Sequence, residues 1–259
     1  MNRVVPGRKA RSRIALALAA AAFAACLGAC CMLASMHSRA SFPQPSPLGT
    51  SAREGAAPAS DPFPTVDWDY WLSVNEDVVG WVTVPGTGID QPIVQADPAD
   101  PQYYLWHDVY REPNYLGCPY IDADCPQGFD SPNCVVFGHN MGGDDQSMFG
   151  DFELFSDAGF AAEHRSILIQ TPTRKIELEA RCVEVAAGWE ATNCTSFETP
   201  AEFQLWYEER VANSAVVLDG ATPDSVITFC TCSYGYWSNE RTLVIAAQKG
   251  SRYQTESSR

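Results

Sequence analysis

Basic side chains are scarce in this chain of 259 residues: 17 Lys and Arg stand against 32 Asp and Glu, for a formal net charge of −15. A protein that grips a phosphate backbone needs a Lys/Arg surface, so electrostatic nucleic-acid binding is excluded. Charged residues altogether reach only 19%, against 46% hydrophobic, the balance of a globular chain and not of a disordered or collagenous one. No internal repeat is visible. No acidic loop shows the alternating carboxylate pattern closed by a terminal Glu that calcium requires. Asp124, Asp130, Asp144 and Asp145 therefore read as solvated loop residues. Cysteine, by contrast, is plentiful at ten, more than a cytosolic enzyme of this length usually carries.

Uncharged runs of bilayer length are also absent, with one exception. Residues 14–36 hold no charged side chain, and at about 1.5 Å per residue they would span about 34 Å. Arg3, Arg8, Lys9, Arg11 and Arg13 precede the run without a single acid. This flank predicts a cytoplasmic N-terminus (1–13), a transmembrane signal-anchor (14–36) and an exported remainder. Ten of the 23 residues are alanine, however, so a cleaved signal peptide is a rival reading. Leu27-Gly28-Ala29-Cys30 also resembles a bacterial lipobox, with Cys30 as the lipid-bearing residue. Residues 37–64 contain six prolines among Ser, Ala and Gly, which reads as a semi-extended stalk. The domain proper then runs from 65 to 259. Residues 60–259 hold 31 acids and 10 bases, a balance of −21, so the outer domain is strongly acidic.

Within that domain, apolar spacing from Val66 to Leu72 predicts a short helix ending near Asn75. Val78–Val84 and Gly88–Gln95 read as strands joined by a Pro85-Gly86-Thr87 turn. Further strands are expected at Asn133–Phe137, Ser166–Thr171, Lys175–Trp189, Ser225–Cys232 and Thr242–Gln248, and a helix at Ser147–Phe155. Thr199-Pro200-Ala201-Glu202 announces a capped helix, with Phe203, Trp206, Tyr207 and Val211 along one face to about residue 213. Strands dominate, so the domain is mainly β.

Three residues carry the chemistry. Cys232 ends a β run and precedes a loop, so its sulfur can face a groove as a nucleophile. His139 lies just past another strand and can carry a proton to a leaving amine. Arg241 opens the last strand, nine residues after Cys232, with a permanent charge suited to an oxyanion or a substrate carbonyl. Taken singly, each has a plainer reading: half of a disulfide, a hydrogen-bonded turn, a solvated strand start.

The surrounding motifs resemble those of the sortases, specifically class B, a family of Gram-positive cysteine transpeptidases. Thr228-Phe229-Cys230-Thr231-Cys232 is similar to the family's Thr-Leu-x-Thr-Cys signature, with Phe for Leu, and Arg241 falls where its arginine follows. Phe137-Gly138-His139-Asn140-Met141, then Ser147-Met148-Phe149, is similar to the class B run Tyr-Gly-His-Asn-Met followed by Met-Phe. Asn75–Trp81 and Gly86–Gln95 also resemble class B strands, and the order and spacing match from about residue 66 to 248. The resemblance implies a closed eight-stranded β-barrel with peripheral helices, one N-terminal and one before the cysteine strand. It implies cleavage of a C-terminal sorting signal after Thr through a thioacyl-enzyme, with catalytic residues Cys232, His139 and Arg241 and no cofactor. The implied partners are surface proteins or pilins bearing a sorting signal, an amine of peptidoglycan precursor or pilin, and the membrane through the anchor. The implied location is the cell membrane, single-pass, with the catalytic domain extracellular.

Two alternatives stay open on the residues: a peptidase on the same scaffold that releases product by hydrolysis, and a non-catalytic, disulfide-stapled binding module. Seven cysteines follow the stalk, and setting one nucleophile aside leaves six for up to three disulfides. Cys118 with Cys125 and Cys182 with Cys194 are the favoured pairs, being nearest in sequence, and reduced thiols throughout are the other reading. Cys230, two residues before Cys232 and on the same side of the strand, is either a small buried side chain or a thiol able to bond reversibly with Cys232.

Overall fold

A strand buried on one face must find partners along both edges, and here eight strands do so by closing on themselves. The computed structural model describes residues 61–143, 147–188, 194–235 and 239–251. Helix α1 (Trp68–Val74) leads in, capped by the Asp67 carboxylate, which accepts the Tyr70 N–H. The strands are β1 (Val78–Thr83), β2 (Asp90–Gln95), β3 (Tyr120–Ile121), β4 (Asn133–Phe137), β5 (Ser166–Gln170), β6 (Lys175–Ala187), β7 (Val216–Val217), β8 (Val226–Ser233) and β9 (Glu240–Gln248). Their order is β5-β1-β2-β3-β4-β8-β9-β6-β7, and an added β5–β6 pairing closes the ring. Two-residue β7 sits outside the ring, on the stretch of β6 beyond the reach of β5. The result is a closed barrel of eight strands, as expected. The β2–β3 and β4–β8 pairs are parallel and the remaining pairs antiparallel.

Eight strands enclose a space that side chains can fill. Phe149, Phe152 and Phe155 do much of this, spaced three apart across helix α2 (Gly150–Glu153) and its flanking turns so that all three reach the interior. Phe152 stacks on Phe229 of β8 at 4.9 Å between ring centres and meets Phe149 edge-on at 4.9 Å. The predicted helix at Ser147–Phe155 begins late because Met148 takes a left-handed backbone (φ 56°), which breaks helical hydrogen bonding before Gly150. Helix α3 (Ala158–Glu163) follows, capped by Asp157.

Helix α4 (Pro200–Asn213) has the expected cap: the Thr199 hydroxyl accepts from the Glu202 N–H at 3.2 Å. The return bond differs, since Glu202 accepts from the backbone N–H of Glu198 at 2.8 Å and not from that of Thr199. Its apolar face, Phe203 and Tyr207, packs on Cys182, Ile245 and Ala247 of β6 and β9.

Two expectations need correction. The cysteines do not staple the domain: Cys118, Cys125, Cys134, Cys182, Cys194, Cys230 and Cys232 are all free thiols. Five of them are buried, where a thiol packs as a small apolar side chain and needs no partner. Proximity in sequence misled the pairing, because barrel closure, not loop length, decides which cysteines meet. The second correction concerns localisation. The segment proposed as an anchor (14–36), with its basic flank, most of the stalk and Cys30, lies outside the described residues. Among the described residues no helix is long and apolar enough to cross a membrane. Their longest helix, α4, has 14 residues, and a span needs about 20. The single-pass membrane assignment is withdrawn on that finding.

Candidate active site

The register of three adjacent strands brings the three candidate residues to one level. Phe137 of β4 lies opposite Cys230 of β8 in the parallel pair, so two residues further on His139 follows beside Cys232. In the antiparallel pair β8–β9, Cys232 stands directly opposite Arg241, and directly opposed residues point to the same face. His139, Cys232 and Arg241 all line one cavity of about 470 Å³, whose floor includes Tyr120, Phe137 and Cys230.

Each side chain is held by its own local structure. Gly138 precedes His139 because a Cβ there would fall 2.4 Å from the Phe149 ring. The Gly138 carbonyl accepts from the Thr231 hydroxyl at 2.8 Å, and its N–H donates to Cys230 O at 3.2 Å, stitching the end of β4 to β8. The His139 ring bonds through Nε2 to the Leu105 carbonyl at 2.9 Å. A carbonyl only accepts, so Nε2 carries the proton and Nδ1 is the nitrogen left to exchange one. Trp106, with its ring centre 5.9 Å away, shields the imidazole on one side. The Arg241 Nη1 donates to the Glu240 carbonyl at 2.9 Å, anchoring one arm of the guanidinium.

Cys230 and Cys232 differ sharply despite sharing a face. Cys230 is buried, and burial pushes its thiol up to about 12. It stays neutral at ordinary pH. Cys232 is partly exposed to the cavity between His139 and Arg241.

One residue of the site escaped assignment from the sequence. Asn140 is buried, and its amide donates to Glu153 Oε2 at 2.6 Å and to the Cys232 carbonyl at 2.8 Å. Tyr234 joins the same network: its N–H donates to Glu153 Oε1 at 2.8 Å and its hydroxyl to the Asn140 carbonyl at 2.8 Å. Together these bonds fix the loop after β4 to the end of β8. The His-Asn-Met run contained Asn140, but a contact 92 residues away in sequence left no local signal. Of the four acidic residues read as solvated, Asp124 and Asp130 are exposed, the latter paired with Arg174 at 2.8 Å. Asp144 and Asp145 lie outside the described residues.

The arrangement has the parts of acyl transfer through sulfur: a nucleophile at the end of a rigid strand, a ring able to exchange a proton, and a fixed cation for developing negative charge.

No family model matches the chain. It is similar to Sortase B of Listeria monocytogenes, 31% identical over 168 residues that cover 61% of this chain and 64% of that protein. The chain thus spans a little under two thirds of that relative's length. It is also similar to Sortase B of Staphylococcus aureus, 24% identical over 177 residues that cover 68% of this chain and 71% of that one. Among solved structures, Clostridium perfringens sortase B aligns with a TM-score of 0.63 at 26% identity, over 69% of this chain and 97% of that chain. A Staphylococcus aureus sortase B–substrate complex aligns with a TM-score of 0.62 at 23% identity, over 71% and 85% of the two chains, a likeness of fold. Ordered motifs, closed barrel and relatives agree in what they liken this chain to: the class B sortases.

Proposed function

We propose that this protein is a cysteine transpeptidase. The observation that carries the reading is the alignment of His139, Cys232 and Arg241 at one level of three neighbouring strands, opening on one cavity. The Cys232 sulfur attacks the backbone carbonyl that follows the Thr of a sorting signal, and the C–N bond breaks to leave a thioacyl-enzyme. The thiol proton of Cys232 passes to His139 Nδ1 as the sulfur attacks, and from there to the departing amine. The incoming amine gives a proton back to His139 as it attacks the thioester, which frees Cys232. Arg241 holds the carbonyl oxygen as it gains negative charge. The acceptor is an amine of cell-wall peptide or of a pilin, and the donor is a surface protein or pilin bearing a C-terminal sorting signal.

The purified protein incubated with an Asn-Pro-x-Thr peptide, the type of signal towards which the class B resemblance leans, with and without a primary amine, tests this. Transfer predicts a new amide product that grows with amine concentration at the expense of the hydrolysed one. Hydrolysis unaffected by amine assigns a peptidase instead. Cleavage that survives Cys232→Ala contradicts both.

A further inference from the structure

The acceptor of the transfer needs a place to bind, and charge limits where that can be. A primary amine on a lysine side chain or a peptide terminus arrives largely as an ammonium at neutral pH. Strands β4, β8 and β9 lie side by side, so His139 and Arg241 flank Cys232 on opposite sides. The Arg241 guanidinium repels an ammonium from one of them. Charge leaves open the side of His139, the residue that must also take the amine's proton.

Trp106 stands on that side. Its ring centre lies 5.9 Å from that of His139, and the two planes are tilted by 52°. The rings therefore do not stack, and one small group can touch both. Trp106 is 56% exposed, which leaves the indole open to a ligand. Leu105, the residue before it, belongs to the cavity wall, and its carbonyl holds His139 Nε2. One short turn thus orients the imidazole and presents the indole. The turn is firmly built. Trp106 N–H donates to Tyr103 O at 3.2 Å, and the Trp106 carbonyl accepts from Asn114 N–H at 2.8 Å. The returning chain presses on it, since a Cβ on Gly117 would fall 2.4 Å from the Tyr104 carbonyl oxygen. The face of an indole attracts a cation within about 6 Å of its centre, more strongly than the face of Tyr or Phe.

We propose that Trp106 is an acceptor-binding residue, whose indole face seats the ammonium of the incoming amine beside His139 and the thioester. This deepens the transpeptidase reading and rests on it. Transfer from an Asn-Pro-x-Thr peptide to the ε-amine of Nα-acetyl-lysine amide tests it. Trp106→Leu keeps an apolar side chain but loses the aromatic face, and is expected to raise the KM for the amine about two- to fivefold. Trp106→Phe is expected to recover part of that loss. Thioester formation in a single turnover without amine is expected to keep its rate in both variants, because that step does not involve the acceptor. The native protein gives an independent reading. Tetramethylammonium, a cation that cannot react, is expected to compete with the amine and not with the peptide, relative to sodium at equal ionic strength. An amine KM unchanged in Trp106→Leu, or tetramethylammonium acting no differently from sodium, overturns the proposal. Equal slowing of thioester formation and transfer also overturns it, by giving Trp106 a structural role at His139. A native protein that transfers nothing to the amine refutes the transpeptidase reading, and this proposal with it. The competition experiment needs no variant, so a misfolded Trp106→Leu cannot shelter the idea.

Discussion

Phe229 and Cys232 lie three residues apart on β8 and face opposite sides of it. The inner side meets Phe149 and Phe152 in the apolar core; the outer side looks onto a cavity with His139, Asp122 and Arg241 in its wall. One strand therefore serves two masters: inside, volume and shape decide what is tolerated, and outside, chemistry does. Cys230 sharpens the contrast, since it shares the outer face with Cys232 yet is buried and held neutral. Residue type alone does not decide what a cysteine meets here. Placement on the strand does.

The comparison can be broken most severely at Phe229. Phe229→Ala leaves a void beside two aromatic rings and is expected to lower unfolding free energy by about 3–5 kcal/mol, read from urea denaturation. A loss under about 1 kcal/mol would mean that the inner face collapses freely and that volume does not govern it. On the outer side, Asn140→Ala removes the amide that ties Glu153 to the Cys232 carbonyl. The expected loss is about 1–3 kcal/mol of stability, because buried partners are left unpaired. Turnover is expected to fall about tenfold with KM little changed, and Asn140→Ser to recover part of it. A KM effect alone would place Asn140 in binding and not in positioning.

The smallest effect concerns the buried thiols. Cys230 is raised to about 12 and Cys182 to about 11 from an ordinary 9.0, both by burial. The folded state keeps these protons where the unfolded chain gives them up. Their contribution to stability is therefore complete below about pH 9 and is lost as pH climbs to 11–12. Tm is expected to hold steady up to pH 9 and decline above it, less steeply in Cys230→Ala. An identical decline in that variant would assign the alkaline limit to other groups, Tyr104 (about 12) among them.

Much of this was legible in the sequence where an element is long or punctuated. Strand β4 spans the predicted residues 133–137, and the Thr199 cap and Pro200 start α4 where expected. The trio His139, Cys232 and Arg241 was legible because each sits at a strand end, and register then brings strand ends together. Strand β3 has only two residues, too few for any period to show, yet it carries Tyr120 of the cavity floor. Helix α3 was missed for similar reasons at six residues. Asn140 required a contact between distant segments. The disulfide expectation failed on a physical point, since counting cysteines says nothing about whether each is already satisfied by burial.

The central claim is that Cys232, and no other thiol, takes the acyl group. Intact and peptide mass spectrometry of the protein mixed with an Asn-Pro-x-Thr peptide and quenched in acid tests it most directly. The account predicts one hydroxylamine-labile adduct, of the mass of the peptide up to Thr, on Cys232. An adduct on Cys194 or Cys230, or product formed with Cys232 never modified under single-turnover conditions, would contradict it.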